Sequence, residues 1–338
     1  MTLSPDVDPT DLPEGLTYCS DENPGLSRHG QPGAFSYVDA RGREVEDRRV
    51  LDRIAALAIP PAWTDVWICP RVRGHIQATG RDQRGRKQYR YHADWSAHRA
   101  TGKFDRMPAF ARALPRLRRQ VDADLARRGV CREKVLATTV RLLELTLIRI
   151  GNAQYARQNR SYGLTTLQKR HLEIDGAALQ FSFRGKSGKA HAVSVRDRRL
   201  AGVIRALQDL PGQQVFKYRD ADGDLVPVTS DEVNTYIREA MGEDFSAKDF
   251  RTWAATVSAA RALREMPAPG SPTEAKRKIT VCIRAVAGLL GNTPTVCRSA
   301  YVHPGVLALF EQDRLRRLLP RPDARNFETR LVKALEAG

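Results

Sequence analysis

The hydrophobic period of this chain changes once, close to residue 100. Upstream, short stretches alternate apolar and polar residues between turn signals. Downstream, apolar residues recur at helical spacing over long runs. A chain patterned this way predicts an α+β fold, with a small antiparallel-sheet N-terminal lobe and a mainly helical second lobe. At 338 residues each lobe can bury its own core. The expected boundaries are a polar, Pro-containing flexible tail at 1–20, a β-rich lobe at 21–95, a polar hinge at 96–105 (SAHRATGKFD) and a second lobe at 106–338.

Within the first lobe, Phe35–Asp47 alternates about Ala40-Arg41-Gly42 and reads as a hairpin. Arg48–Ala58 carries Val50, Leu51, Ile54 and Leu57 at helical spacing and is stopped by IPPAW, while Val66–Cys69 is a short buried strand. His75–His92 is a second hairpin, turning at Arg81–Arg86. Charge is unevenly placed. The chain holds 56 Lys and Arg against 39 Asp and Glu, a net +17. Residues 1–70 hold six Arg and twelve carboxylates, whereas residues 71–119 hold fourteen Lys and Arg and three Asp. Such a focus suits a polyanion, most commonly nucleic acid. In the second hairpin Gln88, Tyr89 and Tyr91 could meet base edges and sugars while Arg84, Arg86 and Lys87 reach phosphates. An exposed amphipathic hairpin with inward-packed tyrosines would have the same pattern.

Other chemistries lack their signatures. Five Cys with no CxxC read as reduced thiols, and seven His form no HExxH-type ligand set. There is no Walker A or dinucleotide glycine motif, so neither a metal nor a cofactor is expected. MTLSPDVDPT is acidic and unlike a signal peptide, and no run approaches the ~20 apolar residues of a membrane span. The expectation is a cytoplasmic, nucleoid-associated protein.

In the second lobe, Glu133–Ile150 carries the apolar stripe of a core helix, with Gly151 as its stop and Arg149 at its end. His171–Val195 is the clearest β segment, with turns at Asp175-Gly176 and Gly185–Gly188 and Lys186 at the second turn. Thr229–Glu232 and Ser246–Asp249 read as capping boxes, the second opening a helix with Arg251 in its first turns. Ser271-Pro272-Thr273-Glu274 starts a helix that stops at Gly291, and Thr293-Pro294 starts a short one leading to Tyr301.

Four stretches stand out: LIRIGN (Leu147–Asn152), FRGKSGK (Phe183–Lys189), KDFRTWAA (Lys248–Ala255) and GNTPTVCRSAYVHP (Gly291–Pro304). Taken singly, Tyr301 is a packing residue, Lys186 a solubilising turn lysine and Arg149 a solvated charge. Taken together they suit attack of a phenol on a phosphodiester. Arg149 and Arg251 offer planar forks for the two nonbridging oxygens. Lys186 offers a proton to the leaving 5′ oxygen, Asn292 one uncharged hydrogen bond, and Tyr301 an oxygen whose phosphoester conserves the bond energy.

These stretches, with GRKQYRYH, resemble the bacterial, poxvirus-like branch of the type IB DNA topoisomerases, in order and roughly in spacing over residues 60–310. The resemblance implies Tyr301 as nucleophile, Arg149 and Arg251 as phosphate clamp, and Lys186 as general acid. It matches Gln88, Tyr89 and Tyr91 to a groove-reading strand and Tyr155 to a DNA-contacting position. It further implies a monomeric, ATP-independent isomerase whose two lobes clamp duplex DNA, the first holding a five-stranded antiparallel sheet. One strand would be cut as a 3′-phosphotyrosine, rotated and resealed. Several relatives have His where this chain has Asn292, and an amide keeps one donor but cannot act as acid or base. A tyrosine recombinase shares the chemistry but usually carries a helical DNA-binding lobe in place of the basic β-rich one. A non-catalytic DNA-binding relative would not need all five side chains to be chemically competent.

Overall fold

The computed structural model describes residues 12–83 and 85–337, without the side chains of 99–101, 154, 155, 158 and 187. The chain divides into two compact units at Lys103/Phe104.

The first unit is a five-stranded antiparallel sheet in the order β2-β1-β3-β4-β5. Its elements are β1 (Leu26–Gln31), β2 (Ala34–Val38), helix α1 (Arg48–Ala56), β3 (Thr64–Ile68), β4 (Ile76–Arg81) and β5 (Lys87–Tyr91). Ile54 of α1 packs with Leu26, Val66, Ile68 and Ala78, so strand alternation gives the sheet one apolar face. Residues 12–22 run along polar groups of the sheet: Cys19 N–H donates to His75 Nδ1, and Thr79 Oγ1 to Asp21. Of residues 12–20, expected in the tail, Cys19 is buried, whereas Glu14, Gly15, Thr17 and Tyr18 are exposed. Residues 1–11 lie outside the described residues.

The hairpin expected at Phe35–Asp47 is different. β2 pairs with β1 through a turn at Pro32-Gly33, and the Ala40–Gly42 turn returns only one bridge, Val38 to Glu44. The Asp39 carboxylate accepts the backbone N–H groups of Arg41 and Arg43, closing a side-chain-stabilised turn where a second strand was expected.

Helix α2 (Ala93–Asp105) covers most of the segment expected as a hinge, and the unit boundary falls in its last turn. The second unit continues with α3 (Met107–Leu125), α4 (Arg132–Thr146), α5 (Ala153–Asn159), strands β6 (Leu172–Asp175), β7 (Ala178–Arg184) and β8 (Ala190–Arg196), and α6 (Arg198–Asp209). A short pair, β9 (Lys217–Arg219) and β10 (Leu225–Pro227), precedes α7 (Ser230–Met241), α8 (Ala247–Glu265), α9 (Pro272–Leu290), α10 (Pro294–Ala300), α11 (Pro304–Glu311), α12 (Leu315–Leu318) and α13 (Phe327–Glu336). β6, β7 and β8 form an antiparallel meander whose buried face, Leu179, Phe181 and Phe183, joins the helical core. Phe110 of α3 meets Phe245 and Phe250 edge-on at 5.3 and 5.2 Å, which fixes the start of α8 against α3. Among the described residues no single helix is long and apolar enough to cross a membrane.

Candidate active site

The site forms where two helices end. α4 stops at Leu147, which adopts the left-handed conformation (φ 55°), and not at Gly151 as the sequence suggests. A left-handed non-glycine residue costs ~1–2 kcal/mol, so something has to hold it. That contact is Arg251, whose guanidinium donates to the Leu147 carbonyl and, at 2.7 Å, to the carbonyl of Leu290, the last residue of α9. Unsatisfied helix C-terminal carbonyls are partial negative charges, so a cation placed across two of them is stabilised. Arg251 is only 4 % exposed. Burial pulls its pKa down to about 10 and the Arg149 charge adds to that, with Tyr301 acting in the opposite direction. It remains a cation at neutral pH.

Past Leu147 the chain runs extended and is pinned by Leu164 N–H to the Arg149 carbonyl (2.9 Å) and Thr165 N–H to the Ile150 carbonyl (2.8 Å). Arg149 thus springs from an irregular segment held by backbone hydrogen bonds beyond the helix. Its Nη2 donates to Asn292 Oδ1 at 2.6 Å. Asn292 sits at a 94° corner between α9 and α10, made possible by Gly291 in the left-handed region (φ 62°). Backbone groups close this corner, Asn292 N–H donating to the Ala287 carbonyl at 2.9 Å. The Asn292 side chain takes no part in capping. Its Nδ2 is buried and has no hydrogen-bond partner among the described residues.

Thr293 Oγ1 accepts the Val296 N–H and starts α10, which delivers Tyr301 at its end. The His303 N–H donates to Thr256 Oγ1 at 3.1 Å, tying the tyrosine segment to α8, while that hydroxyl donates its own proton to the Thr252 carbonyl at 2.8 Å. Arg251 lies 5.5 Å from the ring centroid. Burial alone would raise the Tyr301 phenol, but the Arg251 and Arg149 charges, a hydrogen bond from Arg251 and the Lys248 charge together hold it below the usual tyrosine value. The adjacent Cys297 is no rival nucleophile, because burial pushes its thiol up to about 11 despite Arg251.

The structure therefore brings Arg149, Arg251, Asn292 and Tyr301 together. Lys186 is different. It is exposed at the β7–β8 turn, and among the described residues no hydrogen bond or ion pair joins it to the other four. Its neighbour Lys189 makes the link instead, donating to the Gly291 carbonyl at 3.3 Å. Two residues near the site escaped the sequence reading. Lys248 lies one turn before Arg251 on α8, an i, i+3 spacing that could have disclosed it. His191 shares the inward face of β8 with Val193 and Val195, so its alternation was also visible.

In the first unit, Tyr89 and Tyr91 stack at 5.8 Å and 7° on one face of the edge strand β5, with Lys87 Nζ 5.6 Å from the Tyr89 centroid. Alternation turns Gln88 to the opposite face, where it donates to Asp82 at 3.0 Å. Arg86 and Lys87, expected on phosphates, are engaged with carboxylates, Arg86 with Asp82 at 2.6 Å and Lys87 with Asp21 at 2.7 Å. Arg84 and the Tyr155 side chain lie outside the described residues.

Residues 92–314 match the family described as "Eukaryotic DNA topoisomerase I, catalytic core", and residues 34–82 match "Bacterial DNA topoisomerase IB, N-terminal domain". The chain is 31 % identical to the DNA topoisomerase 1B of Acanthamoeba polyphaga mimivirus over 86 % of its own length and 88 % of the relative's. It is 22 % identical to the DNA topoisomerase 1B of vaccinia virus (strain Copenhagen) over 78 % of this chain and 83 % of that one. The DNA topoisomerase I of monkeypox virus gives the same identity and coverage.

Proposed function

Given that this chain belongs to the type IB DNA topoisomerase family, we propose that Tyr301, Arg149, Arg251, Asn292 and Lys186 carry its reaction in the following way. The enzyme is an isomerase that relaxes supercoiled duplex DNA by transient cleavage of one strand, rotation and religation. The Tyr301 phenol loses its proton to water, a step favoured by the cations that depress its pKa. Its oxygen bonds to phosphorus, the bond from phosphorus to the 5′ oxygen breaks, and that oxygen leaves with a proton from Lys186. Arg149 and Arg251 hold the nonbridging oxygens, and Asn292 donates one hydrogen bond through Nδ2. Religation runs the same path backwards, and the phosphotyrosine conserves the bond energy, so no ATP is consumed.

The observation that carries this reading is the convergence of a depressed phenol, two guanidiniums and an unpartnered buried amide donor at the ends of α4, α9 and α10. All four residues come from one chain, which supports a monomer. The match to a bacterial N-terminal domain supports the bacterial part of the placement and the similarity to the vaccinia virus enzyme the poxvirus-like part, and action on DNA would put the protein at the nucleoid of the cytoplasm. Within that reading the first unit binds duplex DNA with the Tyr89 and Tyr91 strand toward a groove.

The test is relaxation of a supercoiled plasmid in chelator without ATP. The parent should relax it in steps and leave an adduct carrying a free 5′-hydroxyl. Tyr301→Phe should do neither while binding duplex within a few-fold of the parent. An adduct trapped on the Phe variant would move the nucleophile elsewhere, and strand exchange between two sites would point to a recombinase.

A further inference from the structure

We propose that His191 is a positioning residue, a ring wedged between the base of the Lys186 turn and the Gly291 corner that seats Lys186 beside the scissile phosphate. The inference rests on the role given to Lys186 above. The ring stacks on its cross-strand partner Phe183 at 5.2 Å and 9°. Two glycines make room for it. A Cβ on Gly185 would lie 2.5 Å from His191 Cδ2, and one on Gly291 would lie 3.0 Å from His191 Cε1. Gly185 immediately precedes Lys186, and Gly291 immediately precedes Asn292. The ring therefore spans from the residue before the proton donor to the residue before the amide donor. Lys189 Nζ adds one tether to the Gly291 carbonyl. Among the described residues Lys186 has no hydrogen bond of its own to the cluster, so its placement has to come through its turn.

A wedge in this position has to be uncharged. Three cations face it: Lys189 from its own turn, Arg149 from the segment after α4, and Arg251 from α8. Burial first, and then these charges, hold the imidazole below its usual pKa. At neutral pH the ring is neutral and stays seated. Protonation places a fourth positive charge against the other three and works to expel it, so the seat weakens as pH falls.

Single-turnover cleavage of a duplex with either oxygen or sulfur at the bridging 5′ position tests this. A thiolate leaves without a proton, so the sulfur substrate bypasses Lys186. Misplacement by 1 Å costs ~10²-fold in rate, and His191→Ala should slow the oxygen substrate on that order while cleaving the sulfur substrate close to the parental rate. His191→Phe keeps the stack and cannot be protonated. It should cleave both substrates within a few-fold of the parent and lose the His191-linked part of the acid-side decline expected of the parent. The proposal is overturned if His191→Ala cleaves the oxygen substrate at the parental rate, or is equally slow on both while Lys186→Ala is rescued by sulfur. It is also overturned if His191→Phe, folded, cleaves the oxygen substrate ~10²-fold more slowly than the parent, a result that can be read even where the Ala variant fails to fold. If sulfur does not rescue Lys186→Ala, the acid role of Lys186 falls. Seating of the turn is then judged by rate alone: a slow Ala variant beside a parental Phe variant supports it, and a parental Ala variant overturns it.

Discussion

Asn292 offers two separable functions, and replacing it with Asp distinguishes them. Its Oδ1 holds Arg149 at 2.6 Å, while its buried Nδ2 has no partner among the described residues. Asn292→Asp keeps an acceptor for Arg149 and makes that bond charge-assisted, so the arginine stays in place. It also replaces the free donor with an oxygen sharing a full negative charge. Against a phosphate oxygen ~4 Å away, at an effective dielectric of ~20, the repulsion is about 4 kcal/mol. At ~1.4 kcal/mol per decade that is roughly 10³-fold in rate. Asn292→Ala loses the donor without adding charge and should slow cleavage by ~10²–10³-fold. The expected order of single-turnover cleavage is Asn, then Ala, then Asp, and religation should slow in parallel because both directions share a transition state. Melting temperature should fall little in the Asp variant, since the corner is closed by the backbone and Arg149 keeps its partner. Cleavage by Asn292→Asp at close to the parental rate would refute the donor role and leave Asn292 as a support for Arg149.

Thr256→Val removes the hydroxyl that accepts the His303 N–H and donates to the Thr252 carbonyl. A part-buried N–H left unpaired costs up to ~1–3 kcal/mol, so melting temperature and cleavage rate should both drop, and Thr256→Ser should restore both. For Asp124, burial would raise the carboxyl pKa, but bonds from Gln120, Tyr236 and Arg127 hold it below the usual range. Its stabilising contribution is therefore present above the unfolded value of about 3.9 and is lost as pH falls through the lower folded value. Asp124→Asn should flatten that acid limb of the stability curve and lower the melting temperature at neutral pH. Removing the charges of Arg86 and Lys87 should make the salt dependence of duplex binding shallower, by up to ~0.9 in the log–log slope for each phosphate no longer neutralised. Asp21→Asn with Asp82→Asn should tighten binding by releasing both cations, and an unchanged slope in the first pair would assign Arg86 and Lys87 to their carboxylates alone.

Which element boundaries could be read from the sequence follows from whether the stop signal is local. Ser271-Pro272 starts α9 and Gly291 ends it as expected, because a hydroxyl cap, a fixed φ and a left-handed glycine act within one turn. The end of α4 could not be read in this way. Nothing about Leu147 favours a left-handed backbone. It is held there by Arg251, 104 residues further along the chain, while the true glycine signal at Gly151 lies four residues beyond the stop. β1 escaped for a related reason. LSRHGQ buries only Leu26, so it shows no alternation, and it becomes a strand because β2 and β3 offer it backbone partners on both sides.

The same distinction runs through the site. Arg149, Asn292 and Tyr301 each lie just past a helix end, and the residue types alone suggested phosphate chemistry. What could not be read was their different mechanical status. Arg251 is clasped by two helix ends, Arg149 and Asn292 hold each other, and the Tyr301 segment is tied to Thr256, whereas Lys186 projects from an exposed turn. On the proposed assignment this division matches the demands of the reaction. Donors to the nonbridging oxygens stabilise the transition state only if they are fixed before substrate arrives, since reorganising them would consume the stabilisation they provide. The proton for the leaving oxygen is needed only at bond cleavage, and a lysine carried on a braced turn at the edge of the cluster can supply it with less repulsion from the guanidiniums. A sequence lists five polar residues on equal terms. The order in which they must be placed is set by which of them end a helix and which ride on a turn.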